Sequence, residues 1–189
     1  MRTLLVNLQS NVRYPALGPA YLMAVLKAAG KDVVFLDLTS HGVRTAHRGQ
    51  RRESALSSLT ARARTYASHA PWIEPMKGVL RGLRDAFEAR KAERAIRSAM
   101  DFAARCRRES PFGQVLISTA GRFRECSSLA RCFRDEWGVP VVVGGPQFGI
   151  PEVARAWAAT GTFNAVCAFE AERYLVPLME ALKSDRSLE

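Results

Sequence analysis

Residues 140–146 read Pro-Val-Val-Val-Gly-Gly-Pro. Three valines in a row favour a strand buried on both faces, and the run stops on two glycines and a proline. A parallel strand ends this way when its C-terminal tip must leave bare backbone for something flat or bulky to lie against. Comparable apolar runs lie at residues 4–8, 33–37 and 115–119, and a fifth short strand is read at 164–167. Between them, helical spacing marks residues 17–29, 124–137, 151–159 and 171–182, and Gly30 stands where a helix C-cap is expected. Strands alternating with helices, with apolar strand interiors, call for a mainly parallel sheet covered on both faces. The expected fold is therefore α/β, doubly wound and flavodoxin-like. It has a five-stranded parallel sheet in the order 2-1-3-4-5 and a ligand crevice between the first and third strands, where the order reverses.

The chain of 189 residues is read as a single domain, and its 48% apolar content suits a globular core. No apolar run approaches the roughly 20 residues of a membrane helix. Met1 runs directly into Leu4-Leu5-Val6 without a cleavable signal pattern, so a cytoplasmic setting without membrane association is expected. Cys106, Cys126, Cys132 and Cys167 lack tight ligand spacing and read as reduced thiols, with no metal site assigned.

The net charge of +10 is concentrated in residues 44–108, which hold 16 Lys or Arg against six Asp or Glu. Residues 51–70 and 75–108 favour helix, broken at Pro71 and Pro75, so residues 51–108 form a basic helical insertion between strands two and three. In its second half Val79, Leu83, Ala86, Phe87, Ile96, Ala99, Met100 and Ala103 are read as one apolar stripe. The basic residues suit a solvated face or a docking surface for an acidic protein or peptide. Arg81, Arg84, Arg90, Lys91, Arg94 and Arg97 are the candidates for such a surface. Nucleic acid ranks below both, because no aromatic interleaving or recognised nucleic-acid motif accompanies the charge.

The crevice lacks the usual signatures. After strand one the chain reads Ser10-Asn11-Val12-Arg13-Tyr14-Pro15, which contains no glycine-rich dinucleotide turn, and no phosphate-loop motif occurs anywhere. Asn7 and Ser118-Thr119 stand where a phosphoacceptor domain would carry carboxylates, and only Ser10 offers a hydroxyl for a flavin phosphate nest. His41, His47 and His69 all fall outside the strand tips, so no nucleophile–base pair forms and no catalytic residue is assigned.

Several of these strings occur together in one known family. They are Leu4-Leu5-Val6-Asn7-Leu8, Tyr14-Pro15-Ala16-Leu17-Gly18-Pro19-Ala20-Tyr21-Leu22, Leu26-Lys27-Ala28-Ala29-Gly30, Ile117-Ser118-Thr119 and Val142-Val143-Gly144-Gly145-Pro146. Over residues 1–42 and 110–183 the chain resembles the N-terminal cobalamin-binding domain of cobalamin-dependent radical S-adenosylmethionine enzymes. The resemblance implies a corrin over the C-terminal edge of the sheet, with its benzimidazole tail in the crevice. It places Asn11, Val12, Arg13 and Tyr14 beneath the ring, Ser118 and Thr119 beside the tail, and Gly144 and Gly145 where absent side chains make room. Each has a plainer reading: strand ends satisfying their own backbone, a turn, an aromatic packed on the first helix, a solvated arginine.

The chain also departs from the family. No D-x-H-x-x-G string of methionine-synthase-like domains supplies a histidine to cobalt. Members of the radical family usually lack it too, and the resemblance implies base-off cobalamin without a protein histidine below. The usual G-E-G-E reads Phe169-Glu170-Ala171-Glu172, and the usual G-G-P-H reads Gly144-Gly145-Pro146-Gln147. The C-x-x-x-C-x-x-C of the radical domain is absent, so no iron–sulfur cluster is expected in this chain and no complete active site. The expectation is a domain or subunit that holds cobalamin for a radical S-adenosylmethionine methyltransferase or related enzyme. The alternative is a cofactor-free accessory subunit that stabilises or recruits a partner enzyme through its basic helices.

Overall fold

A computed structural model describes residues 2–8, 17–38, 40, 74–120 and 122–185. Five parallel strands form one sheet: β1 (Arg2–Asn7), β2 (Asp32–Asp37), β3 (Phe112–Ser118), β4 (Val141–Gly144) and β5 (Ala165–Cys167). Their order is β2-β1-β3-β4-β5, as the sequence reading required, with the reversal between β1 and β3. The helices are α1 (Leu17–Ala28), α2 (Glu74–Glu109), α3 (Phe123–Arg131), α4 (Pro151–Ala158) and α5 (Leu175–Asp185).

Alternation along the strands divides the apolar residues between two cores. Leu4, Val6, Val115, Ile117, Val141 and Val143 face α2, α3 and α4, where Ala99, Leu129, Phe133 and Trp157 meet them. Leu5, Leu116 and Val142 face α1 and α5, against Leu26, Leu175 and Met179. Helices on both faces define the doubly wound architecture, and burial on both faces is why the strands read as apolar runs.

Local chemistry sets the boundaries. Gly30, at φ +69°, closes α1: its N–H reaches Lys27 O at 3.0 Å, and the N–H of Lys31 reaches Leu26 O at 3.0 Å. The helix read at 124–137 is α3 followed by a π turn, Cys132–Glu136, which Gly138 ends at φ +61°. The helix read at 171–182 starts instead as a 3₁₀ turn, Ala171–Arg173, before α5.

The helix α2 lies between β2 and β3, as the basic insertion required, while residues 51–73 are outside the described residues. Its 36 residues span about 54 Å. The single apolar stripe read from the sequence is divided in the structure. Ala95, Ala99 and Ala103 are buried on the sheet, whereas Val79, Leu83 and Phe87 are exposed. At 100° per residue the two groups lie about 160° apart around the axis, so a straight helix cannot set both on one surface.

Candidate functional site

The site is the C-terminal edge of the sheet at the point where strand order reverses. There β1 ends at Asn7, whose amide donates to Asp37 Oδ1 at 3.3 Å and so ties the tips of β1 and β2. Between β1 and β3 the ladder runs one residue further: Leu8 N–H donates to Ser118 O at 2.7 Å. Ser118 is buried and alternates onto the side of Leu116, toward α1 and α5.

Thr119 turns the other way. Its N–H donates to Gly144 O at 2.9 Å, which keeps β3 and β4 joined past the last strand residue. Its hydroxyl accepts the N–H of Arg122 at 3.4 Å and also lies against the Cys126 thiol, so it holds the entry to α3. Burial pushes Cys126 up to about 12, the Thr119 hydroxyl partly opposing. Burial likewise lifts Cys167, beside Gly144, to about 11. Both thiols are thus protonated and shielded at pH 8, and a thiol reagent added to the folded protein should spare them while modifying them after unfolding. Rapid native labelling of Cys126 would mean that the β3 tip is open. The same shifts make stability fall as pH rises above the ordinary thiol range, because unfolding then releases protons that the native thiols retain.

The two glycines have different reasons to be glycine. Gly145 has φ +151°, and a Cβ there would lie 1.8 Å from Thr119 O and 2.9 Å from Thr119 C. Its bareness is consumed by the neighbouring strand tip. At Gly144 a Cβ would meet only Cys167, at 3.4 Å from its Cβ, so packing alone does not exclude a side chain.

Beyond the glycines, a 3₁₀ turn, Pro146–Gly149, returns the chain to α4. Phe148 anchors it. The side chain is fully buried, its N–H donates to Gly145 O at 3.1 Å, and its ring meets Trp157 edge-on at 4.9 Å. Gln147 rides on this turn, and both its amide Oε1 and Nε2 are buried without a hydrogen-bond partner among the described residues. An unsatisfied buried amide costs on the order of 1–3 kcal/mol, which makes it the chemically unusual group of the edge. Sequence reading noted Gln147 only as a departure from G-G-P-H. The signal was its position directly after the strand tip, but its burial needed the structure. Past β5, the Tyr174 hydroxyl donates to Ala168 O and fixes the exit loop, which carries Phe169 at φ +58°.

Of the residues singled out from the sequence, Ser118, Thr119, Gly144 and Gly145 come together on the adjacent tips of β3 and β4. Asn11, Val12, Arg13 and Tyr14 lie outside the described residues, as do His41, His47 and His69. An open hollow of about 610 Å³ lies elsewhere, lined by Asp101, Ala104, Arg105, Arg107, Arg108 and Trp137. It sits toward the N-terminal edge of the sheet, where Arg107 stacks on the Trp137 ring at 4.9 Å, so it is not part of the crevice. Among the described residues no group of three His, Cys, Asp or Glu could hold a metal ion, and no helix is long and apolar enough to cross a membrane. Comparison with protein-family models, curated proteins and solved structures finds no match to this chain.

Proposed function

We propose that this chain is a cytoplasmic cobalamin-binding domain or subunit that holds base-off cobalamin for a radical S-adenosylmethionine enzyme carried elsewhere. The observation that supports the reading is the buried amide of Gln147, without a partner among the described residues, beside Gly144-Gly145 on the edge where ligands of this fold class bind. A flat ligand rimmed with amides offers both a donor and an acceptor to such a group, and bare backbone at Gly144 leaves it space. Ser118 would meet the tail, with Thr119 and Gly145 positioning the two tips. The resemblance assigns the ring to Asn11, Val12, Arg13 and Tyr14. When bound, the corrin supplies cobalt chemistry suited to methyl transfer, and this chain contributes holding and orientation.

The direct test is to mix the protein with hydroxocobalamin, desalt, and record the visible spectrum. A retained corrin spectrum supports the reading, and a colourless protein at micromolar concentration sinks it. Gln147→Leu sharpens the test. Removing an orphaned amide should stabilise the ligand-free protein by about 1–2 kcal/mol while weakening cobalamin retention. A variant that is less stable than its parent would show that the amide is already satisfied.

A second reading, the cofactor-free accessory subunit, is favoured by the length of α2 beyond the core. A colourless but folded protein that still binds a partner would select it.

A further inference from the structure

The N-terminal half of α2 carries a surface with no counterpart on the domain. Val79, Leu83 and Phe87 recur every fourth residue and are 62%, 63% and 57% exposed. Beside this ridge, one residue earlier at each turn, run Gly78, Gly82 and Ala86. A Cβ added at Gly78 or Gly82 would meet nothing within 4 Å. Rows four residues apart are the ridges and grooves with which helices interdigitate, and here a large-residue ridge lies against a groove of glycine and alanine. Two interior glycines lower helix propensity, and no contact among the described residues compensates for them. Continuing along the same face are Arg90, Arg94 and Arg97, all exposed and without an ion pair among the described residues.

We infer that this face of α2, from Val79 to Arg97, docks an amphipathic helix of another protein, one with an apolar half and an acidic half. Charge selects the occupant. A second copy of α2 would bring arginines against arginines, and residues 51–70 of this chain carry Arg51, Arg52, Arg62 and Arg64 against the single acid Glu53. A lipid surface would engage Val79, Leu83 and Phe87 but gain nothing from the groove at Gly78 and Gly82 beside them. Binding of the free protein to anionic vesicles that Leu83→Asp abolishes would assign the face to lipid and overturn the inference. The face spans 19 positions, about 27 Å of helix. This inference rests on α2 alone, so a protein that fails to retain cobalamin leaves it intact.

The test uses the full chain and two synthetic helical peptides of about 20 residues, long enough to cover the face. Both carry the same Leu/Ala apolar row, continued by glutamates in one and by lysines in the other. Fluorescence anisotropy should show the glutamate peptide binding at least tenfold more tightly than the lysine peptide, with the difference shrinking between 50 and 500 mM salt. Leu83→Asp should weaken binding at least tenfold without moving the melting temperature, since residue 83 is exposed. Gly82→Leu is the discriminating variant. It adds apolar surface and should raise the melting temperature, yet by filling the groove it should weaken binding at least fivefold. Tighter binding by Gly82→Leu would mean general stickiness and would overturn the inference. Equal binding of the two peptides, or binding of neither, would overturn it as well. So would self-association of the free protein that Leu83→Asp abolishes, which assigns the face to a second copy. Slow maleimide labelling of Leu83→Cys in the free protein would assign it to cover from within the chain.

Discussion

Gly145→Ala should destabilise the fold by about 3–5 kcal/mol, whereas Gly144→Ala, one residue earlier, should cost less than about 1 kcal/mol. At Gly145 two penalties combine. The backbone at φ +151° is closed to residues with a Cβ, and the added carbon would lie 1.8 Å from the Thr119 carbonyl oxygen. Relief requires the β3 and β4 tips to part, which sacrifices the Thr119 N–H bond to Gly144 O and strains the neighbouring Leu8 N–H bond to Ser118 O. At Gly144 the new methyl group finds ordinary contact with Cys167. For a chain of this size the difference corresponds to a melting-temperature gap on the order of 10 °C, measurable by calorimetry. Equal losses would contradict the close approach of the two tips. The pair also bears on the ligand. Because Gly144→Ala leaves the fold intact, its hydroxocobalamin spectrum isolates the value of bare backbone at that tip.

Phe148→Ala should cost about 3–5 kcal/mol, the range for emptying a large buried aromatic site. Phe148 is fully buried and meets Trp157 at 4.9 Å, and Trp157 in turn meets Phe123 at 4.7 Å and stacks on Phe163 at 5.7 Å. Losing the ring unseats this cluster and frees the 3₁₀ turn that carries Gln147. Chemical denaturation should therefore show a lower midpoint with a similar slope. Phe148→Leu, which keeps most of the volume, should recover more than half of the loss. An exposed, freely tolerated position 148 would mean that the turn is not anchored and that the orientation of Gln147 is incidental.

Much of the fold was legible before any coordinates. The strands read as apolar runs because a sheet covered on both faces needs both sides of each strand apolar, and the β2-β1-β3-β4-β5 order is the one the flavodoxin-like reading expected. Punctuation by Gly30 and Pro140 set two boundaries within a residue. Two readings depended on information that a linear pattern lacks. The apolar positions of α2 were read as one stripe, yet Ala99 is buried and Leu83 exposed, because over so long a helix the two groups come to lie on opposite faces and only one of them meets the sheet. Val-Val-Val-Gly-Gly-Pro declares that side chains are absent at a strand tip but not what fills the space.

The chain by itself thus determined that a parallel sheet exists, where its strands end, and that small polar or bare residues gather on its C-terminal edge. Those are properties of periodicity and of backbone chemistry, written locally. Only the tertiary structure decided that Thr119 spends its hydroxyl on the entry to α3, that Gly145 yields its space to the Thr119 carbonyl, and that Gln147 is buried without a partner among the described residues. The first depends on how the chain turns from β3 into α3, and the second on which segment lies within the reach of a steric clash. Thr119 and Gly145 stand on strand tips more than twenty residues apart in the chain, so no spacing along it could have specified their approach.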